Sequence, residues 1–148
     1  MKPVPVLNPR ILLVDHNRDG LLVRRALLEE AGCTVEIAID GEEGLKLFEA
    51  ADFDVVVTNH RLPRMTGTEL IQRIRRGNPN ARIILLSGFV EPLGLTEEST
   101  GADAVIAKSS SEAAHLVRWV KRLANRAPAR KPPGAQKAAR VRVRKAAD

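Results

Sequence analysis

Aromatic residues are nearly missing from these 148 residues, with three Phe, one Trp and no Tyr. A stacking platform for single-stranded nucleic acid needs several exposed rings, so that class of function is disfavoured. Cysteine occurs once, at Cys33, which excludes an intrachain disulfide and a cysteine-cluster metal site. Cys33 reads as a small buried hydrophobe, not a redox switch. Long apolar runs are missing too. The longest uncharged apolar-rich stretch is Ile83 to Val90, far short of a membrane span. The opening MKPVPVLNP has two prolines and no apolar core, unlike a secretory leader. A soluble, cytoplasmic protein is expected. No glycine-rich phosphate loop or nucleophile–base pair is visible, so no enzyme is expected.

What is present is a chain of one-domain length, able to bury roughly two-thirds of its unfolded surface without staples. Its net charge of +6 divides unevenly. Residues 126–148 hold eight of the 24 cations and one of the 18 anions, so this stretch is +7 and the other 125 residues are −1. Residues 1–9 read as an extension, residues 10–125 as a near-neutral domain, and 126–148 as a basic tail. The tail combines Ala, Pro, Arg and Lys with only Val141 and Val143 as strong apolar residues. Too little apolar surface is available there to offset the entropy of ordering, so disorder is expected.

Four short apolar runs punctuate the domain: Ile11–Val14, Val55–Val57, Ile83–Leu86 and Ala104–Ala107. Such runs read as strands buried on both faces. A fifth, Val35–Ile39, contains Glu36 and suits a sheet edge. Helical patterns lie between them. Residues 19–31 place Leu22, Val23, Ala26 and Leu27 on one face and stop at Gly32. Residues 41–51 offer Leu45 and Phe48, and residues 67–76 offer Leu70, Ile71 and Ile74. Residues 109–125 carry Ala113, Leu116, Val117, Val120, Leu123 and Ala124, with Ser109 to Glu112 as a capping box. Residues 91–100 form the weakest candidate, because Pro92 and Gly94 interrupt it.

This alternation predicts an α/β fold: a doubly wound, five-stranded parallel sheet with helices on both faces. In such sheets ligands bind beyond the carboxyl ends of the strands. The residues there are Asp15 and His16, Asn59 and His60, Ser87 and Gly88, and Lys108. The phrase Leu62-Pro63-Arg64-Met65-Thr66-Gly67 follows the third strand, with Pro63 stiffening the loop and Gly67 allowing a tight helix entry.

In these segments the chain resembles the receiver domain of bacterial two-component response regulators. The matching pieces are Ile11 to Asp15, Asp40 to Gly44, Asp54 to Thr58 running into Leu62 to Gly67, Leu85 to Gly88, and Gly101 to Ala104 with Lys108. The resemblance implies a flavodoxin-like, CheY-like sheet of order 2-1-3-4-5 and a role in phosphorelay signalling. In that family a histidine kinase's phosphoryl group passes to an aspartate at the end of the third strand. Two acids after the first strand help hold Mg²⁺, and a hydroxyl and a lysine contact the phosphate. Asp15 matches the first acid, Ser87 the hydroxyl and Lys108 the lysine.

Four positions depart from that pattern. Asn59 stands at the phosphoacceptor position, His16 at the second acid, Val105 at the switch aromatic, and Ser109 where a proline usually follows the lysine. An amide oxygen carries no full charge, so Asn59 is not a plausible nucleophile. Imidazole suits transition metals better than Mg²⁺, which prefers hard oxygen ligands. Mg²⁺ is therefore expected to bind weakly or not at all, and the domain to be a degenerate pseudo-receiver. A direct Asp15–Lys108 pair, with Asn59 hydrogen-bonded between or beside them, is expected to hold one state. His16 reads as a metal ligand with His60 and Asp15 or, by preference, as an exposed loop residue. Trp119 is either a rim packing residue or part of a partner surface.

Two kinds of partner follow. The resemblance implies a stand-alone interaction module that docks a kinase, a receiver or another regulator, or dimerises, through the face from about Glu91 to Arg122. Alternatives are phosphorylation at an unusual residue, such as His16 or His60, and non-specific nucleic-acid binding through the basic tail. Sequence-specific DNA reading is not expected, because residues 126–148 show no helix-turn-helix or other output-domain pattern.

Overall fold

The computed structural model describes residues 8–88 and 94–125. The extension before Asn8, the segment 89–93 with Glu91 and Pro92, and the basic tail 126–148 lie outside the described residues. Strands and helices alternate as β1 (Arg10–Val14), α1 (Arg18–Glu30), β2 (Thr34–Ala38), α2 (Gly41–Ala50), β3 (Val55–Asn59), α3 (Gly67–Gly77), β4 (Ile83–Ser87), α4 (Glu97–Thr100), β5 (Ala104–Ala107) and α5 (Glu112–Ala124). The five strands are all parallel and ordered β2-β1-β3-β4-β5. The switch point, where the chain changes its direction of winding, falls between β1 and β3. There ligand sites of this architecture form.

Period-two alternation sorts the strand residues into two cores. Ile11, Leu13, Val55, Val57, Ile84 and Leu86 face Leu21 and Leu28 of α1 and Leu116, Val120 and Leu123 of α5. Leu12, Val14, Val56, Ile83 and Leu85 face Leu70, Ile71 and Ile74 of α3, with Leu45 and Phe48 of α2 at the margin. Because β1, β3 and β4 are buried on both faces, Ile11–Val14, Val55–Val57 and Ile83–Leu86 are continuous apolar runs. β2 lies at the edge, and its one charged residue, Glu36, is held by an ion pair with Arg10.

Two helix details differ from the sequence expectation. In α1 the buried residues are Leu21 and Leu28, while Leu22 and Val23 are 52% and 68% exposed and Ala26 also faces solvent. The apolar stripe is centred elsewhere because Leu21, Arg24 and Leu28, at i, i+3 and i+7, share the inward side. In α5 the expected capping box is not formed. The helix starts at Glu112 after Ser111, which makes no side-chain cap bond, and Ala113 is exposed. Glu112 is the first helical residue, so its carboxylate cannot reach back as a capping-box acid must, and Arg24 engages it instead. The capping box that does form at a strand–helix junction of the site is Thr66 with Glu69, at the start of α3.

In the interrupted region, Glu97–Thr100 forms a single turn between Thr96 and Gly101.

Candidate functional site

Sheet hydrogen bonding continues one residue beyond three strand ends and places the site. The amide of Asp15 donates to Ala38, that of His60 to Leu86, and that of Lys108 to Ser87. Asp15, Asn59 and Ser87 are buried at the carboxyl edge of β1, β3 and β4. Lys108 follows β5 and is partly buried.

Asp15 has both carboxylate oxygens engaged. Oδ1 accepts the amide of Asn17 at 3.0 Å, and Oδ2 accepts Nη1 of Arg24 at 3.0 Å. Asn17 in turn caps α1 by accepting the amide of Gly20. Arg24 extends beyond Asp15 to Glu112, with Nε 2.6 Å from Oε2 and Nη2 3.2 Å from Oε1. Burial works against the Arg24 charge, but the hydrogen bond and charge of Glu112 and the charge of Asp15 outweigh it and raise its pKa.

The expected Asp15–Lys108 pair is therefore not formed. Among the described residues, the ion pairs of Asp15 are with Arg24 and, at 3.7 Å and only if protonated, His16. A rigid guanidinium fork reaches two carboxylates at once, which a point ammonium on a flexible stem does less well. Burial pushes the Lys108 pKa down. Asp15 counteracts this, Arg24 reinforces it and Glu112 opposes it. Lys108 thus shares the field of Asp15 without closing on it.

Asn59 and His16 converge on one atom. Nδ2 of Asn59 donates to the carbonyl oxygen of Arg61 at 2.8 Å, and Nδ1 of His16 lies 3.1 Å from the same oxygen. A carbonyl only accepts, so His16 presents its Nδ1–H to it. The half-exposed His16 is thus tied to the β3–α3 loop, and the side-chain amide of Asn59 bonds to that same loop.

The same loop is fixed from two further sides. Gly67 donates to the carbonyl of His60 at 2.8 Å. A Cβ at Gly67 would stand 2.3 Å from the Asn59 carbonyl oxygen, so only glycine permits this approach. Arg64 takes a left-handed φ of 68° and reaches Asp40, the N-cap of α2, at 2.8 Å. An open cleft of about 490 Å³ lies beside the loop, lined by His16, His60, Arg61, Leu62, Pro63 and Thr66. Nδ1 of His60 is 3.3 Å from the Thr68 hydroxyl, and burial followed by the charge of Arg61 lowers its pKa. Val105 is half-buried in β5 against the second core, and its amide donates to Glu97 at 2.9 Å.

This donor set is a poor fit for Mg²⁺. The ion needs oxygen lone pairs in near-octahedral array. Here the single carboxylate of the strand-end set is already bonded through both oxygens, and Asn59 and His16 turn N–H groups toward the carbonyl between them. Among the described residues no group of three His, Cys, Asp or Glu side chains could hold a metal ion.

Sequence reasoning located Asp15, His16, Asn59, Ser87 and Lys108 but missed Arg24, Glu112 and the Arg61 carbonyl. A signal for Arg24 existed, since it lies three residues after Leu21 and four before Leu28. A backbone acceptor leaves no such trace in side-chain identity.

Residues 11–121 match the family model described as the response regulator receiver domain. A response regulator receiver protein of Anaeromyxobacter is 37% identical over 81 residues, covering 55% of this chain and 34% of that protein. The chain therefore spans about a third of that curated relative, and 10% of the Escherichia coli aerobic respiration control sensor protein, to which it is 32% identical over 77 residues. Among solved structures, the receiver domain of a Francisella response regulator superposes with a TM-score of 0.74 at 28% identity, covering 80% of this chain and 98% of that one.

Proposed function

Because the chain belongs to the response regulator receiver family of two-component systems, we propose that it is a receiver-type interaction module whose working state does not depend on phosphorylation. The observation that carries this function is Asn59: a neutral amide at the acceptor position, with its nitrogen committed to the Arg61 carbonyl. An acyl phosphate forms when a carboxylate oxygen attacks phosphorus, whereas the amide oxygen carries no full charge and the amide nitrogen's electron pair is delocalised into the carbonyl. The pocket adds no compensating metal affinity. Asp15, Arg24, Glu112 and Lys108 sum to zero formal charge, so a dication gains little from entering.

Val105 fits the same function, because a valine offers no bulky ring to move between buried and exposed positions. Receiver domains are signalling modules that bind histidine kinases and other regulators. For this chain the partner is a protein of that kind, bound without phosphate through the α4–β5–α5 face, whose described part runs from residue 94 to 122. No described helix is long and apolar enough to cross a membrane.

The test is intact-mass spectrometry after incubation with Mg²⁺ and acetyl phosphate, comparing the wild type with the His16→Asp/Asn59→Asp double variant. A phosphoryl adduct on the double variant alone is expected. An adduct on the wild type, including one abolished by His16→Ala or His60→Ala, overturns the proposal.

A further inference from the structure

Arg24 stands at the centre of an ionic bridge that joins three elements. It projects from the inward side of α1, between Leu21 and Leu28. One edge of its guanidinium meets Asp15 at the end of β1, and another grips both oxygens of Glu112 in the first turn of α5, 88 residues further along the chain. The side chains of Arg24, Asp15 and Glu112 are 12%, 2% and 14% exposed. Anions this buried require a countercharge, and a forked guanidinium supplies one with fixed direction.

We infer that Arg24 is the resident cation of this pocket, and that the Asp15–Arg24–Glu112 bridge is an intramolecular latch that fixes the start of α5 to the end of β1 with no bound metal. The inference rests on the phosphorylation-independent function above and supplies its physical means. A bound Mg²⁺ would have to displace a covalently tethered cation already at contact distance. Because α5 belongs to the proposed docking face, the latch also fixes the geometry offered to the protein partner. Lys108 completes the neutrality without being the bridging group.

The full chain with Arg24→Met, Arg24→Lys and Glu112→Gln tests this by two readouts. The first is amide exchange in residues 115–118 of α5. The second is the melting temperature in MgCl₂ against KCl of equal ionic strength. The wild type is expected to melt at the same temperature in both salts. Arg24→Met and Glu112→Gln are expected to speed the α5 amides by about tenfold, the scale of a lost charge-assisted contact. Arg24→Met should also acquire stabilisation by Mg²⁺, because Asp15 and Glu112 then face each other without their cation. Arg24→Lys, which keeps the charge but not the fork, should restore part of the exchange protection and abolish the Mg²⁺ response.

Wild-type stabilisation by MgCl₂ equal to that of Arg24→Met overturns the inference, as does unchanged α5 exchange in Glu112→Gln. Glu112→Gln alone decides the latch if Arg24→Met does not fold. Acetyl phosphate labelling of the wild type with an intact latch would overturn the proposed function and leave the bridge itself standing.

Discussion

Asn59 and His16 leave different strands, β3 and β1, and hydrogen-bond to the same carbonyl oxygen, that of Arg61, at 2.8 and 3.1 Å. Each supplies an N–H where a carboxylate would turn an oxygen toward an oxygen. The two residues therefore form a matched pair. Restoring an acid at either position removes a donated bond and sets like partial charges together, which only a cation could reconcile.

The first consequence concerns stability without metal. Asn59→Asp is expected to destabilise the fold by about 1–3 kcal/mol, because a buried carboxylate oxygen would replace the N–H that now donates to the Arg61 carbonyl. The His16→Asp/Asn59→Asp variant should be less stable again and should recover part of the loss in MgCl₂. Urea unfolding with and without Mg²⁺ measures both effects. A metal-free double variant as stable as the wild type would show that the shared acceptor contributes nothing.

Gly67 makes a sharper steric prediction. A methyl group there would lie 2.3 Å from a backbone oxygen and 3.0 Å from the His60 Cα, and neither belongs to a flexible side chain. Gly67→Ala should cost about 3 kcal/mol or more, in the range reserved for forced backbone shifts. Gly77→Ala meets nothing within 4 Å and is the control. Chemical denaturation of the two variants compares them directly.

His60 gives a pH dependence whose sign is fixed. Burial, followed by the charge of Arg61, lowers its pKa in the fold. Between that lowered value and the ordinary histidine value of about 6.5, the unfolded chain binds more protons than the folded one. Stability contributed at this position is complete above about pH 6.5 and is lost on acidification through that window. His60→Gln should flatten that part of the stability–pH profile. An unchanged slope between about pH 5 and pH 7 in the variant would assign the dependence to other groups.

The two sides of α1 differ in the same manner. Leu21 is buried against the first core, whereas Leu22 is half exposed. Leu21→Ala should cost about 2–5 kcal/mol, and Leu22→Ala should stay near the surface range of about 0.5 kcal/mol. Thermal or urea unfolding of the pair tells which stripe faces the sheet.

These last residues also mark how far the sequence could be read. The strands were legible because burial on both faces leaves continuous apolar runs, as in Ile11–Val14 and Ile83–Leu86. The site edge followed, since the residue after each run is fixed by the parallel register. The rest depended on partners distant in sequence. Four apolar residues in α1 predict a stripe at 22, 23, 26 and 27, which does not include Arg24. Arg24 shares the inward side with Leu21 and Leu28, and its partners there, Asp15 and Glu112, lie on other elements. The same pairing removed Glu112 from the capping box that its spacing from Ser109 suggested.

The most direct test of a receiver held in one state without chemical activation is a ¹⁵N–¹H correlation spectrum of the full chain, titrated with Mg²⁺ and beryllofluoride. The amides of Asp15, Asn59, Arg61, Ser87, Lys108 and the first turns of α5 are expected not to move. Saturable shifts at those amides, extending into α5, would contradict it.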